Sequence, residues 1–167
     1  CSHAEKKAEI VQAPSRYSSP GQIPVEDFFR NPSAFGFRVS PDGKMIAELR
    51  SWKNRLNVFV FPTNDPMNPK QLTFVEDRDI QSAEWKGNDH VIFNRDFSGD
   101  ENYQIFSVNV KTGETKNLTP FQGFRSELVD LLEDVSPTDV LLQNNRRDKE
   151  VFDLYRVNIE TGASQMV

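Results

Sequence analysis

The sequence predicts an all-β fold of repeated four-stranded antiparallel sheets. Three observations lead there: apolar and polar residues alternate with period two over short stretches, turn-forming residues punctuate those stretches, and the pattern recurs every 46 to 49 residues. Ile105 to Gly113 matches Leu154 to Gly162 position for position at an offset of 49. Val91-Ile92-Phe93 is followed at that offset by Val140-Leu141-Leu142 and preceded 46 residues earlier by Met45-Ile46-Ala47. Val58 to Phe61 lies 47 residues before Ile105 to Val108, and Gln71-Leu72-Thr73 lies 46 before Asn117-Leu118-Thr119.

Each unit reads as four strands. In the first copy they fall near 35–39, 44–50, 57–62 and 70–74. Ser40-Pro41-Asp42-Gly43, Lys86-Gly87-Asn88-Asp89 and Ser136-Pro137-Thr138-Asp139 occupy equivalent places, and these residue types supply the backbone angles of a tight reversal. A second turn recurs at Lys111 to Glu114 and Glu160 to Ala163, where the first unit has the longer Pro62 to Pro69 stretch. Four-stranded units at this spacing are the signature of β-propeller blades. The fold class is therefore all-β, a partial β-propeller of about three blades, at 35–74, 80–119 and 126–167 within a propeller portion spanning 24–167. Pro24 to Arg30 predicts one or two helical turns that Pro32 stops. Known propellers close with about four to eight blades, so three leave two uncovered flanks, and the chain is expected to be part of a larger ring.

Composition bounds the function. The 167 residues carry 20 Lys and Arg against 25 Asp and Glu, a net charge of -5. That balance leaves no basic stripe for phosphate, and no nucleic-acid partner is expected. No apolar run approaches the ~20 residues that cross a bilayer, so the domain reads as soluble. The single cysteine excludes an internal disulfide and a cysteine metal cluster, and no carboxylate cluster has calcium-loop spacing. No metal and no cofactor is expected. Residues 1–23 are poor in apolar side chains and read as a disordered tether. The chain begins with Cys1 rather than Met, which fits either the lipid-bearing first residue of a processed bacterial lipoprotein or a plain chain boundary. The first reading places the protein in the envelope or periplasm, with a lipid on Cys1 as its only membrane attachment; the second is compatible with the cytoplasm.

Five segments carry a family resemblance: Val25-Glu26-Asp27-Phe28-Phe29, Val39-Ser40-Pro41-Asp42-Gly43-Lys44, Gly99-Asp100-Glu101-Asn102-Tyr103, Leu118-Thr119-Pro120-Phe121 and Asp153-Leu154-Tyr155-Arg156-Val157-Asn158. Their order and spacing over about residues 24–167 resemble the N-terminal propeller of bacterial prolyl oligopeptidase-family serine peptidases, the dipeptidyl-aminopeptidase and acylaminoacyl-peptidase-like members. The resemblance implies that an α/β-hydrolase domain, with a Gly-x-Ser-x-Gly elbow, follows the propeller. This chain has no such elbow, and His3 and His90 cannot supply a triad, because a base must reach a serine and be oriented by an acid. No catalytic residue carries over, and the chain alone is expected to be inert. The implied role is steric: the propeller admits short peptides to a catalytic cleft in the missing hydrolase domain. Ser-Pro-Asp-Gly also occurs in TolB-like propellers, so a non-catalytic scaffold that binds a protein partner in the envelope is the competing reading.

The second-to-third strand loops of successive blades share one rim, and Arg55, Arg95, Asp96, Glu101 and Arg147 are its candidate functional residues. Arg can grip a carboxylate with two bonds, and Asp or Glu can hold an ammonium, so this rim suits the end of a peptide or the hydrolase domain. A solvated face of ordinary ion pairs fits the same residues. Phe59, Phe61, Phe93, Phe106 and Phe152 are assigned to the core by alternation, and His90 to a turn-flanking surface position. Asn117-Leu118-Thr119 matches a glycosylation sequon but falls on a predicted strand.

Overall fold

The computed structural model describes residues 24–29 and 32–167. The expected tether over 1–23, and with it Cys1 and His3, lies outside the described residues. Val25–Phe28 form one helical turn, α1, in which Asp27 N donates to Pro24 O at 3.0 Å and Phe29 N to Glu26 O at 3.2 Å.

From Ala34 on, the regular structure among the described residues is β. Sheet 1 consists of β1 (Ala34–Val39), β2 (Met45–Trp52), β3 (Arg55–Pro62) and β4 (Lys70–Gln71). Sheet 2 consists of β5 (Ser82–Lys86), β6 (His90–Arg95), β7 (Gln104–Asn109) and β8 (Thr115–Asn117). Sheet 3 consists of β9 (Ser126–Asp130), β10 (Asp139–Asp148), β11 (Val151–Asn158) and β12 (Ser164–Met166). Each is an antiparallel meander in chain order. The fourth strands are the shortest, since β4 has 2 residues and β8 and β12 have 3 each.

The sequence repeat reappears as a repeat of hydrogen bonds. Leu72 N donates to Val58 O at 2.9 Å, Leu118 N to Ile105 O at 2.8 Å and Val167 N to Leu154 O at 3.0 Å. Val58 N and Ile105 N donate to the hydroxyls of Thr73 and Thr119, each at 2.9 Å, so the recurring Leu-Thr pair sends one residue into the core and one onto the neighbouring strand. Asn109 Oδ1 accepts from Lys111 N and Thr112 N, as Asn158 Oδ1 does from Glu160 N and Thr161 N. Gly113 and Gly162 then close the two turns at φ 77° and 78°, where a side chain would be strained. The sequon is taken up by this scheme: Asn117 Nδ2 donates to Gln104 Oε1 at 2.6 Å, and Thr119 is 1 % exposed.

Sheet 2 is covered on both faces. Val91 and Phe93 join Leu49, Val58, Val60 and Trp85 in the layer shared with sheet 1, while Ile92 turns to Val140, Leu142 and Val157 of sheet 3. A strand covered on both sides has no polar face, which is why Val91-Ile92-Phe93 is unbroken. Each such side chain contributes about 1.5–3 kcal/mol of burial. Phe59, Phe61 and Phe93 are buried and Phe106 packs at the core's edge, but Phe152 is 39 % exposed, as is Leu154 two residues on. The core assignment of Phe152 is corrected here: alternation selects a face of β11, and no described sheet lies on that face.

Polar ties join the sheets. Trp85 Nε1 of sheet 2 donates to Arg38 O of sheet 1 at 2.8 Å, and Arg38 Nε meets Glu84 Oε1 and Oε2 at 2.9 Å each. Asp42 N donates to Asn88 Oδ1, and Gly87 N reaches Glu133 Oε1, each pair 46 residues apart. The same turn of each sheet is thus fastened to the next.

Candidate functional site

The rim is built by the hairpins β2–β3, β6–β7 and β10–β11 together with the connections that lead into β5 and β9. Alternation of strand direction brings these segments to one edge. In sheet 1 the two-residue turn places Lys53 and Asn54 at φ 48° and 62°. Lys53 Nζ then sits 4.6 Å from the centre of the Trp52 ring and 2.6 Å from Glu76 Oε1, while Trp52 meets Phe74 edge-on at 5.8 Å. Arg55, the first residue of β3, is half-buried, and its guanidinium has no partner among the described residues.

The β6–β7 loop is organised from within by Asp96, which is 0 % exposed. Arg78 Nε donates to its Oδ1 at 3.1 Å and Glu101 N to its Oδ2 at 3.3 Å. Burial pushes this carboxyl upward, but the Arg78 and Glu101 hydrogen bonds and the Arg78 charge outweigh it and hold it below the usual carboxylate range. The buried Asp96 carboxylate of this loop is thus engaged by the partly exposed Arg78 guanidinium. Arg95 grips Asp77 with Nη2 at 2.8 and 2.7 Å from its two oxygens and lies 4.4 Å from the centre of the Phe97 ring. With these groups engaged, Glu101 projects outward from a left-handed backbone at φ 57°, exposed and with its carboxylate unpaired among the described residues.

In sheet 3, Arg147 makes the two-pronged contact its planar group favours, Nε to Asp153 Oδ2 and Nη2 to Asp153 Oδ1, both at 2.8 Å. That hydrogen bonding holds the Asp153 carboxyl below its ordinary range despite burial. Arg146 stacks 4.2 Å from the centre of the Phe121 ring, and Arg125 lies 5.8 Å from that of Tyr103 while its Nε contacts Glu127 at 2.8 Å. A cation from each of the three rim hairpins thus lies over an aromatic ring: Lys53 over Trp52, Arg95 over Phe97 and Arg146 over Phe121.

The five candidates fall into two groups. Arg95, Asp96 and Arg147 are spent on shaping the loops; Arg55 and Glu101 are the two whose charges stay open. Pooling the hairpins by repeat position reaches all five, but the partners of Arg95 and Asp96, which are Asp77 and Arg78, lie in the connection between sheets 1 and 2, and the connections between sheets do not repeat in length. His90, half-buried at the start of β6, has its Nε2 3.2 Å from Asn109 Nδ2. The chemistry available to this rim is recognition of polar or charged groups.

No protein-family model matches the chain. It is 30 % identical over 151 residues to dipeptidyl aminopeptidase BIII of Pseudoxanthomonas mexicana, an alignment covering 90 % of this chain and 22 % of that protein. To dipeptidyl peptidase family member 6 of Caenorhabditis elegans it is 24 % identical over 152 residues, 87 % of this chain and 20 % of the relative. The chain spans about a fifth of the length of both. Among solved structures, oligopeptidase B from Trypanosoma brucei superposes with a TM-score of 0.62 at 9 % identity, over 80 % of this chain and 20 % of that one. The β-propeller domain of the Trilobed protease from Pyrococcus furiosus gives 0.58 at 18 % identity, over 81 % and 43 %. TolB from Acinetobacter baumannii gives 0.58 at 15 % identity, over 80 % and 31 %. These structural likenesses establish the blade fold.

Proposed function

From a chain that is a homologue of dipeptidyl aminopeptidase BIII and has the propeller blades of prolyl oligopeptidase-family peptidases, we propose that it forms part of a propeller which gates the entry of short peptides to a peptidase active site carried elsewhere in the full-length protein. The observation that supports this reading is that the four-stranded sheets pack on one another in chain order, β5 of sheet 2 on β1 and β2 of sheet 1 and β9 of sheet 3 on β7 of sheet 2, as successive propeller blades do. The apolar face bearing Phe152 and Leu154 supports a further sheet packed against it in the complete ring. Arg55 and Glu101 are the rim groups with charge to offer the ends of a peptide or the hydrolase domain, and Arg95, Asp96 and Arg147 keep the loops around them in shape.

The experiment is hydrolysis by the full-length protein of peptides of increasing length, alongside the same cleavage sequence embedded in a folded protein. Gating predicts kcat/KM that falls with length and no cleavage of the folded substrate. Equal turnover of both overturns gating. A full-length protein that hydrolyses no peptide, yet captures an envelope protein, supports the TolB-like scaffold instead.

A further inference from the structure

At the rim end of sheet 1 an unmatched charge sits among accessible aromatic side chains. Trp52 and Arg55 are register partners on either side of the β2–β3 turn, so their side chains leave the same face of the sheet, with Cβ atoms about 4.5–5.5 Å apart. Phe74, 63 % exposed, stands edge-on to Trp52 at 5.8 Å. The segment that carries Phe74 is clamped beside Arg55 by the buried Asn57 amide. Its Nδ2 donates to Arg55 O at 3.2 Å and to Val75 O at 3.0 Å, while its Oδ1 accepts from Val75 N at 2.8 Å. Arginine and phenyl ring are thus fixed to one frame.

The other charges at this end are engaged. Lys53 meets Glu76 at 2.6 Å while lying over Trp52, Arg50 meets Glu48 at 2.6 Å, and Asp79 accepts from Leu56 N at 2.8 Å. Arg55 is half-buried yet makes no ion pair among the described residues. A guanidinium that has lost part of its hydration without gaining an acceptor is destabilising, and a carboxylate offsets this through two parallel bonds that match its planar fork. One unmatched charge suits one carboxylate, and the exposed Phe74 ring beside it adds apolar area rather than a second charge. In an Asp or Glu side chain the carboxylate stands alone at the tip. At the C-terminus of a peptide it shares its Cα with a side chain, so charge and apolar group arrive side by side. We propose that Arg55 grips the C-terminal carboxylate of a short peptide, with the apolar side chain of that last residue resting on Phe74 beside Trp52. The proposal rests on the peptide-gating reading and names the end of the peptide that this part of the rim takes.

The test is calorimetry on the full-length protein with three N-acetylated peptides: Ala-Ala-Phe as the free acid, the same peptide as its C-terminal amide, and Ala-Ala-Gly as the free acid. Mass spectrometry afterwards confirms that each is intact. The Phe acid binds, its amide at least about tenfold more weakly, and the Gly acid about threefold to tenfold more weakly. Arg55→Gln removes no ion pair of the described residues and lowers the Phe acid to the affinity of the amide, while Phe74→Ser lowers it to that of the Gly acid. No binding of the Phe acid, equal affinity for acid and amide, or an undiminished acid preference in Arg55→Gln overturns the proposal. A lowered thermal melt of Arg55→Gln with that preference intact overturns it too, and assigns the guanidinium to a carboxylate of the protein itself. Hydrolysis of peptides with a free N-terminus, as acids and as amides, is followed in parallel. If the wild type hydrolyses them and Arg55→Gln leaves the ratio of KM between acid and amide where it was, the carboxylate site fails while the peptidase reading stands. Absence of hydrolysis in the wild type removes the peptidase reading and leaves the site to calorimetry.

Discussion

The Lys86 ammonium of sheet 2 is buried against the Ser136 turn of sheet 3, donating to Ser136 O at 2.6 Å and to Leu131 O at 2.5 Å. Lys86, Ser40 and Ser136 occupy equivalent turn positions. Ser40 and Ser136 use their hydroxyls locally, Ser40 accepting from Met45 N and Ser136 from Thr138 N and Asp139 N. Lysine at the middle copy reaches instead into the next sheet, at 1 % exposure.

Lys86→Met should cost about 2–4 kcal/mol, because the buried Ser136 carbonyl and the partly buried Leu131 carbonyl lose a charged donor while the side-chain volume is kept. Ser136→Ala leaves both carbonyls in place and should cost about 1 kcal/mol. Urea unfolding of both variants checks the ranking; equal losses would mean that the ammonium is not what joins the sheets.

Trp85→Phe removes the indole N–H that bonds Arg38 O and trims a core side chain at 4 % exposure. The expected loss is about 1–3 kcal/mol, read as a lowered urea midpoint.

Thr73→Val and Thr119→Val should destabilise by similar amounts, about 1–3 kcal/mol each, since both hydroxyls accept from a buried backbone N–H at 2.9 Å. The matching Asn117 amide is occupied by Gln104, so expression in a glycosylating host should leave Asn117 unmodified by mass spectrometry.

Asp96, Asp139 and Asp153 all lie below the ordinary carboxylate range. For Asp139 the leading cause is the Asn158 hydrogen bond, with burial opposing it and Arg156 adding to the lowering. A depressed folded-state value means stability that is fully present above the unfolded value, about 3.9, and is lost as pH falls through the folded one. Stability should therefore hold above about pH 5 and decline progressively below about pH 4. Asp96→Asn, which faces Arg78 with no charge, should be less stable at pH 7 and flatter in the acid range. An unchanged acid slope would show that the Asp96–Arg78 contact contributes nothing.

The strands, their turns and the recurrence of both are determined by the sequence itself. Alternation of side chains about β6 and β7 and the Asn-x-x-x-Gly turns at Asn109 and Asn158 involve neighbours within one hairpin, so they leave a local pattern. What only the tertiary structure decided is which groups meet across sheets. Lys86 reads as one more turn residue until the Ser136 carbonyl is seen beside it, Asp96 reads as a rim charge until Arg78 encloses it, and Phe152 reads as core until its face of β11 is found uncovered. Partners from neighbouring sheets lie tens of residues apart, and no periodicity records them: alternation fixes the side of a strand that a side chain takes, while packing fixes what waits there.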